Sequence, residues 1–572
     1  MDMDTDFLKF GPIKSFPKVE HKAVETFKKE IHLEKAGTLH QFLTLNEREY
    51  VTHLKITGYL NIDDIDNVLD KMTTCYETSD ADEGPIIRED FPPYLKVLDL
   101  GESELVGTDC IEEFTFQSRL EHVVLPSNLK VLGHWYDGVF ADSDLLETII
   151  FPDSLEEIKT VSFQYCIKLK NVRFPKNLKI IGEFAFDGCV SITHIHLPAS
   201  VEQVQCAAFS GCDALQKFTL DENHPWFSVN DGVLFSKDQT KLIAFPGGYP
   251  HKHYCVPHGT KIIGEGAFSA SLIESIEFPD TLIEIEGWSF QFCENLQRLV
   301  IPPSVQIIGE LAFRQCKKLK SLTLPNSISV LPKQVFGGCK NLIEIEIPPS
   351  VKTIEAYAFG GSKNLETVIL HDGLEELNGF EYCPRLKHIR IPKTTRIIHA
   401  PVFTGCTSLK KIDIDQENPY FIEIDGMLLT RDKTKLLEVP FSENHSVKIP
   451  DGVEIIGDFC FQELIHLETV HIPSTLRIIG HRAFEGCTNL KKIDLPKTIE
   501  SIDYRAFDDC PNLAHMQIYA EKPPKITNPE NSNWGFLKDS GKLIIHVPNV
   551  LDAYLSEPGW NEFKNIKNIK NM

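Results

Sequence analysis

Nowhere in the 572 residues does an apolar run approach the ~20 positions that a membrane-spanning helix needs, which excludes such a helix from this sequence. Positive charge is in deficit as well. Against 82 Asp and Glu stand only 58 Lys and Arg, and the resulting net charge of −24 repels phosphate backbones and anionic lipid heads. Nucleic acid is therefore not an expected partner. No CxxC pair occurs among the 15 cysteines, which argues against a metal site built from them. HExxH, GxSxG and Walker A motifs are missing too. Gly264-Glu-Gly266-Ala-Phe-Ser269 begins like a dinucleotide fingerprint but has no third glycine, so neither catalysis nor a cofactor is expected. The opening Met1-Asp2-Met3-Asp4-Thr5-Asp6 is acidic, with no basic segment and apolar core behind it, and no signal peptide is visible.

What the sequence does contain is a beat. Phe140, Phe163, Phe186 and Phe209 stand 23 residues apart, and the phase returns at Phe290, Phe313, Phe336 and Phe359 and at Phe461, Phe484 and Phe507. Ten of the 15 cysteines keep the same period, among them Cys166, Cys189, Cys212, Cys487 and Cys510. In the unit that starts at Leu467, Val470 and Ile472 alternate with Thr469 and His471, the signature of a half-buried strand that Pro473 ends. Leu476, Ile478 and Ile479 return along the far side, Gly480 permits a bend, and Ala483-Phe484 fits a short helical turn. No unit this short buries its apolar face alone, so neighbours must stack. The cysteines then form a rung of buried free thiols, read as small apolar filler that suits a reducing or anaerobic setting.

The fold class expected is α/β: a leucine-rich-repeat solenoid with a curved parallel sheet, short helical turns on the convex side, terminal caps and two β-hairpin insertions. The boundaries are an N-terminal extension at 1–30, an N-terminal cap at 31–94, the solenoid at 95–518 and a C-terminal cap at 519–572. The insertions, at 222–250 and 416–444, resemble one another: Phe227, Asp231, Gly232, Thr240 and Pro246 return as Phe421, Asp425, Gly426, Thr434 and Pro440. Asp-Gly turns between apolar runs mark both as hairpins, expected to protrude. At the ends, Ile62, Ile65, Val68, Leu69 and Met72 form a helical stripe, and Tyr554, Leu555, Trp560, Phe563 and Ile566 supply an apolar closing face.

Candidate sites follow from the strands. Aligning Pro257 with Pro450 puts Tyr254 and Val256 in the core and turns His251, His253 and Cys255 outward. These three are the only metal candidates, and the pattern reads as a solvated strand face rather than a metal centre. The exposed concave column supplies the partner-binding candidates Arg173, His194, His196, Glu346, His388, Arg390, His471 and Asp494. Its mixed character offers no single-sign stripe for a polyanion and no aromatic ladder for sugars, and suits a protein partner.

The unit L-x-x-[IV]-x-[IL]-P-x-x-[LV]-x-x-I-G-x-x-A-F-x-G-C-x-x-L, over roughly 95–518, resembles the BspA-type leucine-rich repeat. The resemblance carries over no catalytic motif and implies a protein that binds a macromolecular partner; a monomer is expected. It also implies an adhesive role at the cell surface or in secretion, if a leader was trimmed. Should Met1 be the native start, the alternative is a cytoplasmic interaction scaffold with no adhesive role.

Overall fold

The computed structural model describes residues 26–70, 72, 76–77, 86–87, 95–111, 119–134, 138–441, 445–503, 505–527, 543–561, 563 and 565–569. Most of the 1–30 extension and Cys75 lie outside the described residues. Two compact units make up the chain, Met1–Leu296 and Gln297–Met572. Each is a parallel β-solenoid.

Most turns contribute two short strands. In the first unit, Lys28–Leu33, His53–Leu60, Val97–Leu105, His122–Val124 and Thr148–Ile150 pair in parallel as one ladder. The second strands of the turns, such as Val131–Leu132, Glu157–Ile158 and Ile180–Ile181, pair in parallel as another. The same two ladders recur in the second unit, for example Thr469–His471 with Lys492–Leu495 and Ile478–Ile479 with Ser501–Asp503. First strands bury the middle residue and expose its neighbours: Ile195 is buried between exposed His194 and His196. Alternation along the chain thus becomes a two-faced sheet.

The phenylalanines stack within each unit. Ring centroids lie 5.3 Å apart for Phe140–Phe163 and 5.0 Å for Phe163–Phe186, and 5.0 Å for Phe484–Phe507 in the second unit, with ring planes within 8° of parallel. The segments that carry them are tight turns rather than the helical turns expected. Two residues before and two after most of these rings, the backbone is left-handed: φ is 52° at Phe184 and 71° at Gly188, 48° at Arg482 and 71° at Gly486. These reversals aim the peptide groups along the stack, so that the Phe163 amide donates to the Ala185 carbonyl at 2.8 Å and the Phe186 amide to Ala208 at 2.8 Å. A helix would have turned those groups inward on itself. The left-handed conformation costs an L-residue roughly 1–2 kcal/mol, offset here by a hydrogen bond to the next turn.

In both insertion segments the strands lie inside the stack and do not protrude. Phe227–Asn230 pairs antiparallel with Val233–Ser236, which pairs antiparallel with Lys241–Ala244, and the last joins the second-strand ladder in parallel with Ile262–Ile263. Phe421–Ile424, Met427–Thr430 and Lys435–Glu438 repeat this arrangement. Leu234 and Phe235 are fully enclosed, and Leu234 belongs to the same core cluster as Phe209 and Phe218. At the start of the chain, Ile65, Val68, Leu69 and Met72 are buried as the stripe predicts, whereas Ile62 is exposed. At the far end Tyr554 and Trp560 are fully buried, their OH and Nε1 donating to the carbonyls of Ala520 (2.9 Å) and Pro524 (2.7 Å). Leu555, expected in that apolar face, points to solvent from the helix Leu551–Ser556.

Candidate functional site: the outward face of the first-strand ladder

All eight partner-binding candidates are exposed: six lie on first strands, Arg173 lies in the strandless segment before Pro175, and His388 at an isolated bridge to Thr367. They do not converge on one site. Arg173, His194 and His196 share a cleft of about 430 Å³ in the first unit. There Thr219 Oγ1 lies 3.0 Å from both His194 Nε2 and His196 Nδ1, and His196 Nε2 is 3.0 Å from Asp221. Partial burial, with Lys217 nearby, holds the His194 imidazole below its ordinary pKa. The Ala199 amide, and then His196, keep the Asp221 carboxyl below the usual carboxylate range.

The second unit carries the other five. Arg390 reaches Asp415 at 2.9 Å, at a cleft of about 610 Å³ bordered by Asp413 and Glu417, with His388 two residues before it. Glu346 pairs with His371 Nε2 at 2.9 Å. His471 lies in register with Lys448, and Asp494 with Gln517. Aliphatic side chains share these columns: Ile150, Val300 and Ile369 are 57%, 55% and 47% exposed. The face is thus charged, imidazole-rich and apolar by turns, and the hydrogen-bonded ladder fixes each side chain's spacing.

The metal candidates part company. Tyr254 and Val256 are buried, and His251, His253 and Cys255 face solvent. His251 turns its ring edge-on to Tyr249, with centroids 5.7 Å apart. His253 Nε2 instead lies 3.2 Å from Cys255 Sγ, and Glu277 closes the group at 3.5 Å from the sulfur and 3.7 Å from the imidazole. Glu277 was legible only by aligning Pro257 with Pro279, which sets Cys255 opposite it; the ladder pairs the two in register. Burial first, and Glu277 second, push the Cys255 thiol pKa up.

Stacked parallel turns, each with a conserved geometry of strand, tight turn and phenylalanine, define a leucine-rich-repeat solenoid. The BspA type leucine rich repeat region matches residues 134–247, 261–379, 376–425 and 440–531, in six copies. With more than half of its length matched, the chain belongs to that family. No match is found among curated proteins. Among solved structures, a leucine-rich repeat protein from Eubacterium ventriosum is 18% identical, over 67% of this chain and 88% of that one, with a TM-score of 0.48. A leucine rich cell surface protein from Faecalibacterium prausnitzii is 22% identical, over 61% and 97%, with a TM-score of 0.45. A leucine-rich repeat protein from Bacteroides ovatus is 20% identical, over 86% and 98%, with a TM-score of 0.32. No helix among the described residues is long and apolar enough to cross a membrane.

Proposed function

We propose that this protein is a monomeric, non-enzymatic binder that recognises another protein through the outward face of its first-strand ladders. The observation that carries the reading is the make-up of that face. Cationic, anionic and exposed aliphatic side chains alternate on a register-locked sheet, as at Arg390, Asp413 and Ile150. A polyanion would call for one sign of charge, whereas a protein partner presents both signs and apolar patches between them. Membership in the repeat family supports an interaction role, and the resemblance extends it to adhesion at the cell surface. The intracellular scaffold is the alternative, and localising the native protein by cell fractionation separates the two.

A second surface is favoured by one further observation. The two insertion segments each expose an aromatic at the same place, Trp226 and Tyr420, while the next residue, Phe227 or Phe421, is buried. Deleting the segments would remove Leu234 and Phe235 from the core, so point substitutions make the test. Partners captured by cross-linking to the full chain are compared with those of Arg173→Glu/His196→Glu, Arg390→Glu/Asp494→Lys and Trp226→Ser/Tyr420→Ser. Loss of one defined partner in either of the first two variants supports the ladder face. Loss only in the third moves the site to the insertions, and retention in all three refutes both.

A further inference from the structure

We propose that His253, Cys255 and Glu277 form a zinc-binding site on the outward face of the first unit. Their ligand atoms lie within 4.8 Å of one another, and they are the one such group of three among the described residues. The separations bear on the geometry. With Zn–S near 2.3 Å and Zn–N and Zn–O near 2.0–2.2 Å, two ligands of a tetrahedral zinc stand about 3.3–3.6 Å apart. The three edges found are 3.2 Å (His Nε2 to Cys Sγ), 3.5 Å (Cys Sγ to Glu Oε2) and 3.7 Å (His Nε2 to Glu Oε1). An ion thus enters with shifts of a few tenths of an ångström.

The surroundings prepare the ligands. His253 Nδ1 is 2.8 Å from Ser275 Oγ, the partner of His253 in the ladder register. With Nδ1–H donated to that hydroxyl, the Nε2 lone pair faces the sulfur and the carboxylate. Such a second partner is the usual means of fixing a metal-binding imidazole. Adjacent parallel strands supply all four residues, so the spacing is held by backbone hydrogen bonds and not by loops.

His196 with Asp221 and His371 with Glu346 are imidazole–carboxylate pairs too, but neither has a thiol beside it. Cys255 is the only exposed cysteine among those described. A thiolate with an imidazole and one carboxylate is a borderline-soft set that selects zinc over calcium or magnesium, with a water in the fourth position. Binding displaces the thiol proton to solvent, leaving a Zn–S bond, and therefore tightens as pH rises. The proposal does not depend on what the rest of the face binds.

The test is isothermal titration of the reduced, tag-free full chain with Zn²⁺, alongside Co²⁺ absorption spectra. One site at micromolar metal is expected, with a proton released and a thiolate-to-cobalt charge-transfer band. Cys255→Ser should abolish the band, and His253→Ala should weaken affinity by at least about tenfold. Glu277→Gln and Ser275→Ala should weaken it less, and His251→Ala should leave it unchanged. Absence of binding in the parent overturns the site. So does binding that survives both Cys255→Ser and His253→Ala, which would report diffuse attraction to an acidic surface. Loss of binding in His251→Ala alone would overturn the assignment of ligands. All five positions are on the surface, and unchanged thermal unfolding of each variant confirms that folding is not the cause.

Discussion

Cys189 Sγ lies 3.1 Å from the main-chain carbonyl oxygen of Phe163, one turn earlier in the solenoid, and donates its S–H to it. The same bond recurs from Cys166 to Phe140, Cys212 to Phe186, Cys406 to Phe380, Cys487 to Phe461 and Cys510 to Phe484, at 3.0–3.2 Å. Ser362, standing on the same rung, donates to Phe336 at 3.3 Å. A hydroxyl in a fully buried position shows that the rung accommodates a small donor, although Leu464, three residues after Phe461, holds the equivalent place without one.

From that bond follows the first prediction. Cys189→Ser keeps the donor and should shift stability by less than about 1 kcal/mol. Cys189→Val keeps the bulk but removes one of two donors to the Phe163 carbonyl, which still accepts from the Cys166 amide at 3.2 Å, at a cost of about 0.5–1.5 kcal/mol. Urea unfolding of the two variants compares them directly. Equal stability would show that the S–H contributes nothing.

Accessibility separates Cys255 from the rung. Burial raises the pKa of the rung thiols, to about 12 at Cys293 and Cys339, and keeps them protonated and shielded. Native protein treated with a thiol-reactive disulfide reagent should therefore modify Cys255 rapidly and the rung only on unfolding. Cys255→Ser should lose one rapid equivalent. An unchanged count of rapid thiols would contradict the exposure assigned to it.

The two insertions begin with different residues doing one job. His224 Nε2 donates to the Pro198 carbonyl at 3.1 Å, while Nδ1 accepts from the amides of Trp226 (3.3 Å) and Phe227 (3.2 Å). Asn418 donates to Pro392 (2.8 Å) and accepts from Tyr420 and Phe421 (2.8 and 2.9 Å). Burial lowers the pKa of the His224 imidazole. Below about pH 6.5 the unfolded chain then takes up a proton that the folded one refuses, and stability falls with pH. His224→Asn should fold as well at pH 7.5 and lose less stability on acidification to pH 5. His224→Leu should cost about 1–3 kcal/mol at pH 7.5 and less at pH 5, where the parent has itself lost stability. Parallel losses in parent and Asn variant would exclude His224 as the source.

The ladders were legible because alternation and a fixed period translate directly into buried and exposed positions, as at Ile195 between His194 and His196. The conformation around each phenylalanine was not. Ala483-Phe484 reads as helical by composition, and only the demand for hydrogen bonds along the stack selects left-handed backbone at Arg482 and Gly486. Likewise His224 was hidden: the offset that matches Phe227 to Phe421 places it opposite Asn418, but two such different side chains do not announce a shared hydrogen-bonding role. Of the candidate site, the outward faces were readable from strand phase. Glu277's approach to Cys255 required knowing which strands are neighbours.

Glu381 carries the last prediction. Its side chain is only 1% exposed, and its carboxylate oxygens accept from the Tyr357 amide at 3.1 and 3.3 Å. Burial pushes its pKa up to about 8, with the Tyr357 bond opposing. Glu438, buried nearby, is raised well above the ordinary range, first by burial and then by Glu381. Between an unfolded value near 4.5 and a folded value near 8, the folded state holds a proton that the unfolded state has released. Stability therefore declines as pH rises across that window and is greatest below it. Glu381→Gln retains an acceptor for the Tyr357 amide and removes the titration. At pH 8 it should be more stable than the parent, by about 2–4 kcal/mol, with little difference at pH 4. At position 244, the counterpart of Glu438 in the first insertion, stands Ala244, so a neutral residue fits that place in the fold. Glu438→Ala should accordingly stabilise the protein in the same direction. Urea unfolding at the two pH values measures both effects. A Gln variant no more stable than the parent at pH 8 would mean that Glu381 ionises in the fold without penalty.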